Sequence, residues 1–276
     1  MNVKPLIGST MSEEETKEYF CKGIEEIRKG FELVPGKLRI RVATKEDTDR
    51  FDIRIYGRRD QLPQINEVLI EYEDIDPMEF GREFSTIRQV QLALCLSKKE
   101  HFFLRSVYSF LKGDNRPSEN LILEPIPMSE VFSRFGYTIY SEDIHKMMCI
   151  FQKISRADLT NNSIRIACNR FLRSHHNLLP DDRLIDLCIA MEALFLGGEY
   201  QKSDLGMGQV IGLACSMLIG RENTERKDIR DTIEFGFNLR NKVVHGYEID
   251  YNRRKRIGEI LPDFEDSLRR SILRLL

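Results

Sequence analysis

The sequence lacks a long hydrophobic run, and its N-terminus, MNVKPLIGSTMSEEETKEYF, lacks the basic-then-apolar profile of a secretory signal. A membrane-spanning helix needs about 18 or more apolar residues in succession, and a signal peptide needs an apolar core behind a basic end. We therefore predict a chain that does not enter a membrane and that resides in the cytoplasm.

The sequence also lacks an excess of charge of either sign and any recognisable metal-ligand spacing. The formal net charge is −2, which argues against a protein that coats DNA, RNA or a membrane surface through bulk charge, although a local basic patch remains open. The six cysteines show no C-x-x-C spacing and the five histidines no H-x-x-x-H spacing. We expect reduced core thiols, no metal and no other cofactor.

The composition is that of a globular protein, with 41% hydrophobic and 31% charged residues, and 276 residues suffice for two domains. We predict an α+β domain over residues 1–136. Apolar residues at helical spacing from Ser12 to Pro35 predict one helix, and the segment 84–96 predicts another. Alternating apolar and charged residues predict antiparallel strands at 37–44, 50–57, 67–74 and 101–110.

Residues 137–276 are predicted to form an all-α helical bundle, because apolar residues recur there only at helical spacing. Glycines at 197, 220 and 246 follow three of the segments, where a left-handed residue commonly ends a helix. Pro262 either kinks the last helix or separates two helices. The predicted helices are 142–154, 163–175, 183–196, 209–219, 227–245 and one within 253–276.

One charged residue falls where a core residue belongs. On a wheel of about 100° per residue, Arg240 lies in the middle of an apolar arc that includes Ile233, Phe237 and Val244. An unpaired buried charge costs several kcal/mol or more, so we expect a partner. Glu192 lies within the apolar arc of its own predicted helix and is that expected partner. A structural ion pair and one wall of a functional cleft both fit this pattern.

His245 lies on the rim of the same arc, in the last turn before Gly246. An imidazole there is available for proton transfer near neutral pH. Histidine is also an ordinary residue at a helix end, and an arginine five residues before a histidine arises by chance in chains of this size. The spacing alone therefore assigns no activity.

Three other clusters attract attention. The basic run Arg253, Arg254, Lys255 and Arg256 could contact an RNA backbone, or could be a solvated helix start. The adjacent histidines 175 and 176 are expected at the surface. The glycines in 206–212 lack the G-x-G-x-x-G spacing of a phosphate loop and predict close helix packing.

Two stretches resemble a known family. R-N-K-V-V-H-G, at 240–246, resembles the R-polar-x-x-x-H motif that HEPN domains carry late in a helical bundle. FLRSHHNLLPDDRLIDLCIAMEALFLGG, at 171–198, resembles the first helix pair of the ApeA-like HEPN group, with A-M-E-A-L at 190–194 in the place of an A-L-E-A-L-like sequence. The resemblance extends more weakly back to residue 84, so that residues 1–83 lie outside it.

The resemblance implies a homodimer that brings two copies of the motif together and, in many members, a metal-independent endoribonuclease. Arg240 then matches the arginine that binds the scissile phosphate, and Asn241 the polar residue that orients phosphate or histidine. His245 matches the general base or acid that assists attack by the ribose 2′-hydroxyl and leaves a 2′,3′-cyclic phosphate. Glu192 would support Arg240. A role in defence or stress follows by analogy alone, and a catalytically inactive RNA- or protein-binding module or a dimerisation domain are the alternatives.

Overall fold

The structure, a computed structural model, describes residues 31–35, 38–42, 68–72, 86–99, 106–109, 119–122, 141–157, 162–177, 179–197, 205–246 and 251–276. Two compact units divide the chain. The first is Met1–Arg82, Arg105–Ser133 and Thr138–Met148, and the second is Glu83–Leu104, Arg134–Tyr137 and Cys149–Leu276. The predicted division at residues 136 and 137 remains a prediction, and the 86–97 helix belongs to the second unit.

Short antiparallel strands form the described core of the first unit. Leu38 and Ile40 are buried while Arg39 between them is exposed, as the alternation of apolar and charged residues in a half-buried strand requires. The sheet order is β1-β2-β3, and β4 pairs with β5. The strands are β1 Phe31–Val34, β2 Leu38–Val42, β3 Val68–Tyr72, β4 Ser106–Ser109 and β5 Glu119–Ile122.

Most of the described chain is helical, and the helices of the second unit pack as a bundle, which confirms the predicted helical bundle. α4 runs between α3 on one side and α5, α6 and α7 on the others. The helices are α1 Thr86–Ser97, α2 Ser141–Arg156, α3 Asn162–His176, α4 Pro180–Leu196, α5 Met207–Ile219, α6 Asn223–Val244 and α7 Tyr251–Leu275. Among the described residues, no helix is both long enough and apolar enough to cross a membrane.

The N-terminal predictions were right for β2, β3 and α1, and β4 lies within the strand predicted at 101–110. β5 was not predicted. The predicted helix up to Pro35 was wrong in its last turn, because Phe31–Val34 is a strand paired with β2. Strand pairing satisfies the backbone donors and acceptors of this segment, which outweighs the helical spacing of its apolar residues. The rest of that helix and the strand predicted at 50–57 lie outside the described residues.

Local sequence signals explain where α4 begins and ends. Pro180 occupies the first turn, where its missing N–H costs nothing, and Asp181 and Asp182 complement the positive end of the helix dipole. Gly197 ends the helix with φ 57°, in the left-handed region that glycine adopts without strain. Gly246 likewise has φ 68° after α6. α4 is therefore a long, well-delimited helix.

Gly220 does not follow this rule, and the predicted left-handed conformation was wrong there. Its φ is −78°, so its role is one of space rather than of backbone freedom. An added Cβ would lie 2.5 Å from Arg226 Cγ and 2.6 Å from Ser216 O. Any larger residue would push α5 away from the start of α6.

Close approach of helices depends on three further glycines. An added Cβ at Gly208 would lie 2.8 Å from Phe237 Cβ, and one at Gly212 would lie 3.1 Å from the Arg230 carbonyl oxygen. These two contacts confirm that the 206–212 glycines serve helix packing, here of α5 on α6. Gly236 has the same role against α7, because its Cβ would lie 2.5 Å from Phe264.

Buried Asp186 joins α3 to α4. Its Oδ1 accepts a hydrogen bond from Arg170 Nη1 at 2.8 Å, and its Oδ2 accepts one from Asn177 Nδ2 at 2.6 Å. A buried carboxylate bonded through both oxygens is costly to displace. This contact fixes α4, and with it the orientation of Glu192.

α7 is one continuous helix that contains Pro262, so the predicted restart at Pro262 was wrong, and a kink there stays a prediction. Phe264, Leu268 and Ile272 are buried as the apolar stripe predicts, but Leu275 is exposed. α1 packs on this helix, because Arg269 Nη1 donates to the Leu96 carbonyl at 3.0 Å.

Candidate functional site

Arg240 and Glu192 meet, as their positions in two apolar arcs predict. Arg240 Nη2 on α6 lies 3.4 Å from Glu192 Oε1 on α4, and the two side chains are 22% and 24% exposed. The predicted contact is confirmed, but the pair is half-buried rather than enclosed in the core. Solvent reaches part of each side chain, but Glu192 Oε1 and Arg240 Nε are themselves buried.

The contact between these two charges is loose. Neither Glu192 Oε1 nor Arg240 Nε has a hydrogen-bonding partner among the residues described. Arg240 Nη1 donates a hydrogen bond to Asn241 Oδ1 at 3.2 Å. Glutamate and asparagine thus hold the two ends of the guanidinium group and orient its planar fork, the arrangement that binds a phosphate or carboxylate.

The floor beneath this pair is apolar. Burial raises the pKa of the Cys188 thiol well above its usual range, while Arg240 nearby lowers it and Glu192 raises it. Cys188 is therefore an inert core thiol that packs below the two charges. Among the described residues next to Arg240 and Glu192, no hydroxyl or thiol is therefore available as a nucleophile.

The last turn of α6 is more open than the helical wheel predicts. Val244 is exposed and Val243 is only half-buried, so their assignment to the buried face was wrong. A helical wheel shows only on which side of a helix a residue lies. Among the described residues, no neighbouring element covers this side of the last turn. Arg240 consequently lies at the edge of the packed core instead of in its middle.

His245 is the C-cap of α6 and is exposed, as its place on the rim predicts. Its backbone N–H donates to the Asn241 carbonyl oxygen at 3.1 Å, and the N–H of Gly246 donates to Val243 O at the same distance. The backbone at the motif histidine is therefore fixed by the helix end, while its imidazole remains accessible to a ligand.

A pocket of about 200 Å³ opens beside the motif, between the start of α5 and the C-terminal half of α6. Phe237 and Met207 contribute apolar surface, and Glu234, Asn238 and Asn241 contribute polar groups. Because Asn241 also contacts Arg240, this pocket lies next to the guanidinium group. Sequence reasoning did not find it, since it depends on the close approach of α5 and α6.

An apolar face of α5 is also exposed. Leu213 and Met217, one turn apart, are both exposed, as is Met207 at the start of the helix. Val244 at the end of α6 is exposed as well. Leu213 and Met217, four residues apart, form one exposed apolar surface of α5, which is a candidate for burial against another surface.

The basic run at the start of α7 is partly described. Lys255 and Arg256 are exposed, and the side chains of Arg253 and Arg254 lie outside the described residues. The exposure of Lys255 and Arg256 is consistent with both interpretations of the basic run, an RNA contact and a solvated helix start. An exposed cation is accessible to a phosphate and is also ordinary at a helix start.

The expectation that the adjacent histidines lie at the surface was wrong. The His175 side chain is 1% exposed and its Nε2 lies 3.6 Å from Glu265 Oε1, while His176 is half-buried and its ring bonds Gln91 Nε2 at 2.9 Å. Arg183 Nη2 donates to Glu265 Oε2 at 2.6 Å. Burial raises the pKa of Glu265, and Arg183 opposes that rise.

This second charged cluster had a partial signal in the sequence. On a helical wheel Glu265 falls about 100° from Phe264, next to Leu268 and Ile272, so it borders the apolar stripe of α7. The reasoning that found Glu192 would have found Glu265. Its partners His175 and Arg183 come from distant segments, and only the folded bundle brings them together.

A scan against protein-family models and searches of curated proteins and of solved structures found no match to this chain. Within the described ranges, no group of three or more His, Cys, Asp or Glu residues is arranged to hold a metal ion. The fold and the site together define a helical-bundle protein with an oriented, half-exposed arginine and an exposed histidine at the end of one helix.

Proposed function

We propose that this protein is a metal-independent endoribonuclease of the HEPN type that acts as a homodimer. The observation that carries the proposal is the position of Arg240, whose Nη2 lies 3.4 Å from Glu192 Oε1 and whose Nη1 donates to Asn241 Oδ1, five residues before exposed His245. Each Nη carries two N–H groups, so a guanidinium group in long contacts with one carboxylate and one amide is suited to bind a phosphate through charge-assisted hydrogen bonds.

In the proposed reaction, His245 takes the proton of a ribose 2′-hydroxyl, whose oxygen then attacks the adjacent phosphorus. The bond to the 5′-oxygen breaks, that oxygen receives a proton from the second histidine of the dimer, and a 2′,3′-cyclic phosphate remains. Arg240 stabilises the negative charge that develops on the phosphoryl oxygens. Asn241 holds the guanidinium group, and Glu192 keeps it at the edge of the bundle.

A dimer is part of this proposal, because one imidazole cannot serve as base and acid in the same step. Met207 at the start of α5 lines the pocket that includes Asn241, and with exposed Val244 it provides apolar surface for self-association close to the motif. A twofold axis there would bring two motif copies to one groove. Lys255 and Arg256 would extend the groove with contacts to the RNA backbone.

The test uses the purified full chain, a single-stranded RNA and excess EDTA. We expect cleavage with 2′,3′-cyclic phosphate ends, and no cleavage at a position that carries a single 2′-deoxyribose, since the attacking hydroxyl is then missing. Arg240→Ala and His245→Ala should each lower the rate by about a hundredfold or more. Full activity in either variant would sink the proposed site.

Matched variants separate a site effect from a charge or surface effect. Arg173→Ala removes an exposed arginine of α3 and His145→Ala an exposed histidine of α2, and both should retain the parental rate. Met207→Glu at the start of α5 should reduce both dimer content, measured by light scattering, and cleavage. A fully active monomer would contradict the role of the dimer.

A non-catalytic dimerisation or binding module is the second candidate, and the exposed apolar face of α5 favours it as much as it favours a dimeric enzyme. The two candidates differ in one result. A stable dimer that binds RNA through Arg240 and His245 but leaves it intact, with or without added divalent metal, would assign the module.

A further inference from the structure

A second cavity of about 390 Å³ lies in the bundle, away from the motif. It opens where the end of α1, the end of α3, the first turn of α4 and the middle of α7 come together. Its wall combines apolar residues with an unusual density of charge. The ionisable residues that line it are Lys99, His175, Arg183, Glu265, Asp266 and Arg269.

The cations of this wall outnumber its carboxylates. Lys99, Arg183 and Arg269 face two acidic residues among the described lining, so that one positive charge is in excess before any protonation of His175. Clefts with low-dielectric walls concentrate the field of such an excess. The cavity therefore favours an anionic guest over a neutral or cationic one.

The charged groups are held in place by one another. Glu265 Oε2 accepts from Arg183 Nη2 at 2.6 Å, and Asp266 contacts both Lys99 Nζ at 2.9 Å and Arg269 Nη2 at 2.6 Å. Arg183 is 16% exposed and Glu265 is 8% exposed. Burying such pairs stabilises a fold no better than apolar residues would, which favours a binding role for the cluster over a purely structural one.

Four residues on one side of α7 line the cavity. Gly258, Leu261, Pro262 and Glu265 follow one another at helical spacing along the wall. An added Cβ at Gly258 would meet nothing within 4 Å, so the glycine leaves open space in the lining. Pro262 has no N–H, and the Gly258 carbonyl therefore lacks its helical donor. These residues thus leave room for a guest in the cavity.

We propose that this cavity binds a small molecule through a phosphate or carboxylate group, with Arg183 as the main anion contact through N–H groups that do not bond Glu265, Lys99 at the mouth and His175 at the floor. The volume suits a metabolite-sized guest rather than a polymer. The proposal does not depend on RNA cleavage, since none of the residues involved belongs to the Arg240 site.

Histidine resonances give a direct test, because the chain has only five histidines. Full-length protein labelled with ¹⁵N at histidine is titrated with inorganic phosphate and, separately, with succinate, at pH 7 and constant ionic strength. His175 should shift in a saturable manner with half-saturation at about ten millimolar or below, while exposed His145 should not. A response of His245 reports independently on the motif site.

Two variants with matched controls locate the binding. Gly258→Leu fills the open space with a better helix former and should weaken anion binding at least tenfold without lowering the melting temperature. Asn252→Leu adds the same side chain at an exposed position of α7 and should bind as the parent does. Lys99→Gln should weaken binding several-fold, and Lys98→Gln should not.

The separate titrations with phosphate and with succinate also identify which anionic group the cavity binds. A shift with phosphate alone assigns a phosphate ligand, a shift with succinate alone a carboxylate ligand, and a shift with both an anion site that accepts either group. The proposal is overturned if neither anion shifts His175 saturably, or if Gly258→Leu and Asn252→Leu bind with the same affinity.

Discussion

Helix α4 carries two arginine–glutamate contacts, one near each end, and they differ in almost every property. At its start, Arg183 bonds Glu265 of α7 at 2.6 Å, with both side chains largely buried. Toward its end, Glu192 lies 3.4 Å from Arg240 of α6, with nearly a quarter of each side chain exposed. The same pair of residue types therefore forms a tight contact and a loose contact on one helix.

The difference lies in how completely each charge is satisfied. Glu265 uses one oxygen for Arg183 and faces His175 with the other. Glu192 Oε1 has only the long contact to Arg240 among the described residues. A short contact between largely buried groups resists rearrangement, whereas a long contact between partly exposed side chains can exchange its partner for a ligand at a lower cost. The loose contact is thus the better candidate for direct chemistry.

The largest effect is expected at the tight contact. Arg183→Met removes the arginine partner of buried Glu265 and should lower the free energy of unfolding by about 3 kcal/mol, the range observed when one member of a buried pair is lost. Urea denaturation followed by circular dichroism measures this change. Arg173→Met is the control.

Arg173 also contacts a buried carboxylate, Asp186, at 3.4 Å, but its own side chain is mostly exposed. Its replacement should change stability by no more than about 0.5 kcal/mol. If Arg183→Met and Arg173→Met lower the free energy of unfolding by the same amount, burial of the arginine does not determine how strongly such a contact stabilises the protein. The comparison between the buried and the exposed arginine–carboxylate contacts would then fail.

The stability difference at the tight contact should depend on pH. Burial raises the folded-state pKa of Glu265 above 4.5, and Arg183 counters that rise. A carboxyl whose folded pKa is raised gains stability as pH falls through that pKa, because the folded state then binds the proton more tightly than the unfolded chain. Without Arg183 the pKa rises further.

The penalty of Arg183→Met should therefore be largest at pH 7 and shrink by up to about 1.4 kcal/mol per pH unit as the solution is acidified toward pH 5. Unfolding curves of parent and variant at each pH give the difference directly. A penalty that stays constant, or grows on acidification, would contradict the account of Glu265.

The sequence predicted the loose contact because Arg240 and Glu192 each interrupt the apolar arc of a long helix, and a buried charge requires a partner. It could not predict how exposed the contact is, since periodicity defines a face but not what covers it, as Val244 demonstrates. The His175–Glu265 cluster depends on segments far apart in the chain. The strand at Phe31–Val34 depends on pairing with β2, which no local pattern contains.

Smaller effects are expected at the loose contact. Glu192→Gln and Arg240→Met should each cost about 1 kcal/mol or less, because their contact is long and nearly a quarter of each side chain is exposed. A double-mutant cycle in urea should give a coupling energy of about 0.5 kcal/mol, several-fold below that of Arg183→Met with Glu265→Gln. An unfolded Arg240→Met protein would instead make the contact a structural ion pair.

The smallest stability effect should belong to His245, although its effect on RNA cleavage should be among the largest. His245 is exposed at the C-cap of α6, and the backbone N–H groups of residues 245 and 246 make hydrogen bonds that end the helix there. His245→Ala should therefore shift the free energy of unfolding by no more than about 0.5 kcal/mol while it removes cleavage. His245→Asn keeps a polar side chain of similar size but cannot transfer the proton, so it should be equally inactive and equally stable. Cleavage by His245→Asn would show that this residue only shapes the helix end. The assignment of RNA cleavage to His245 and Arg240 would then be wrong.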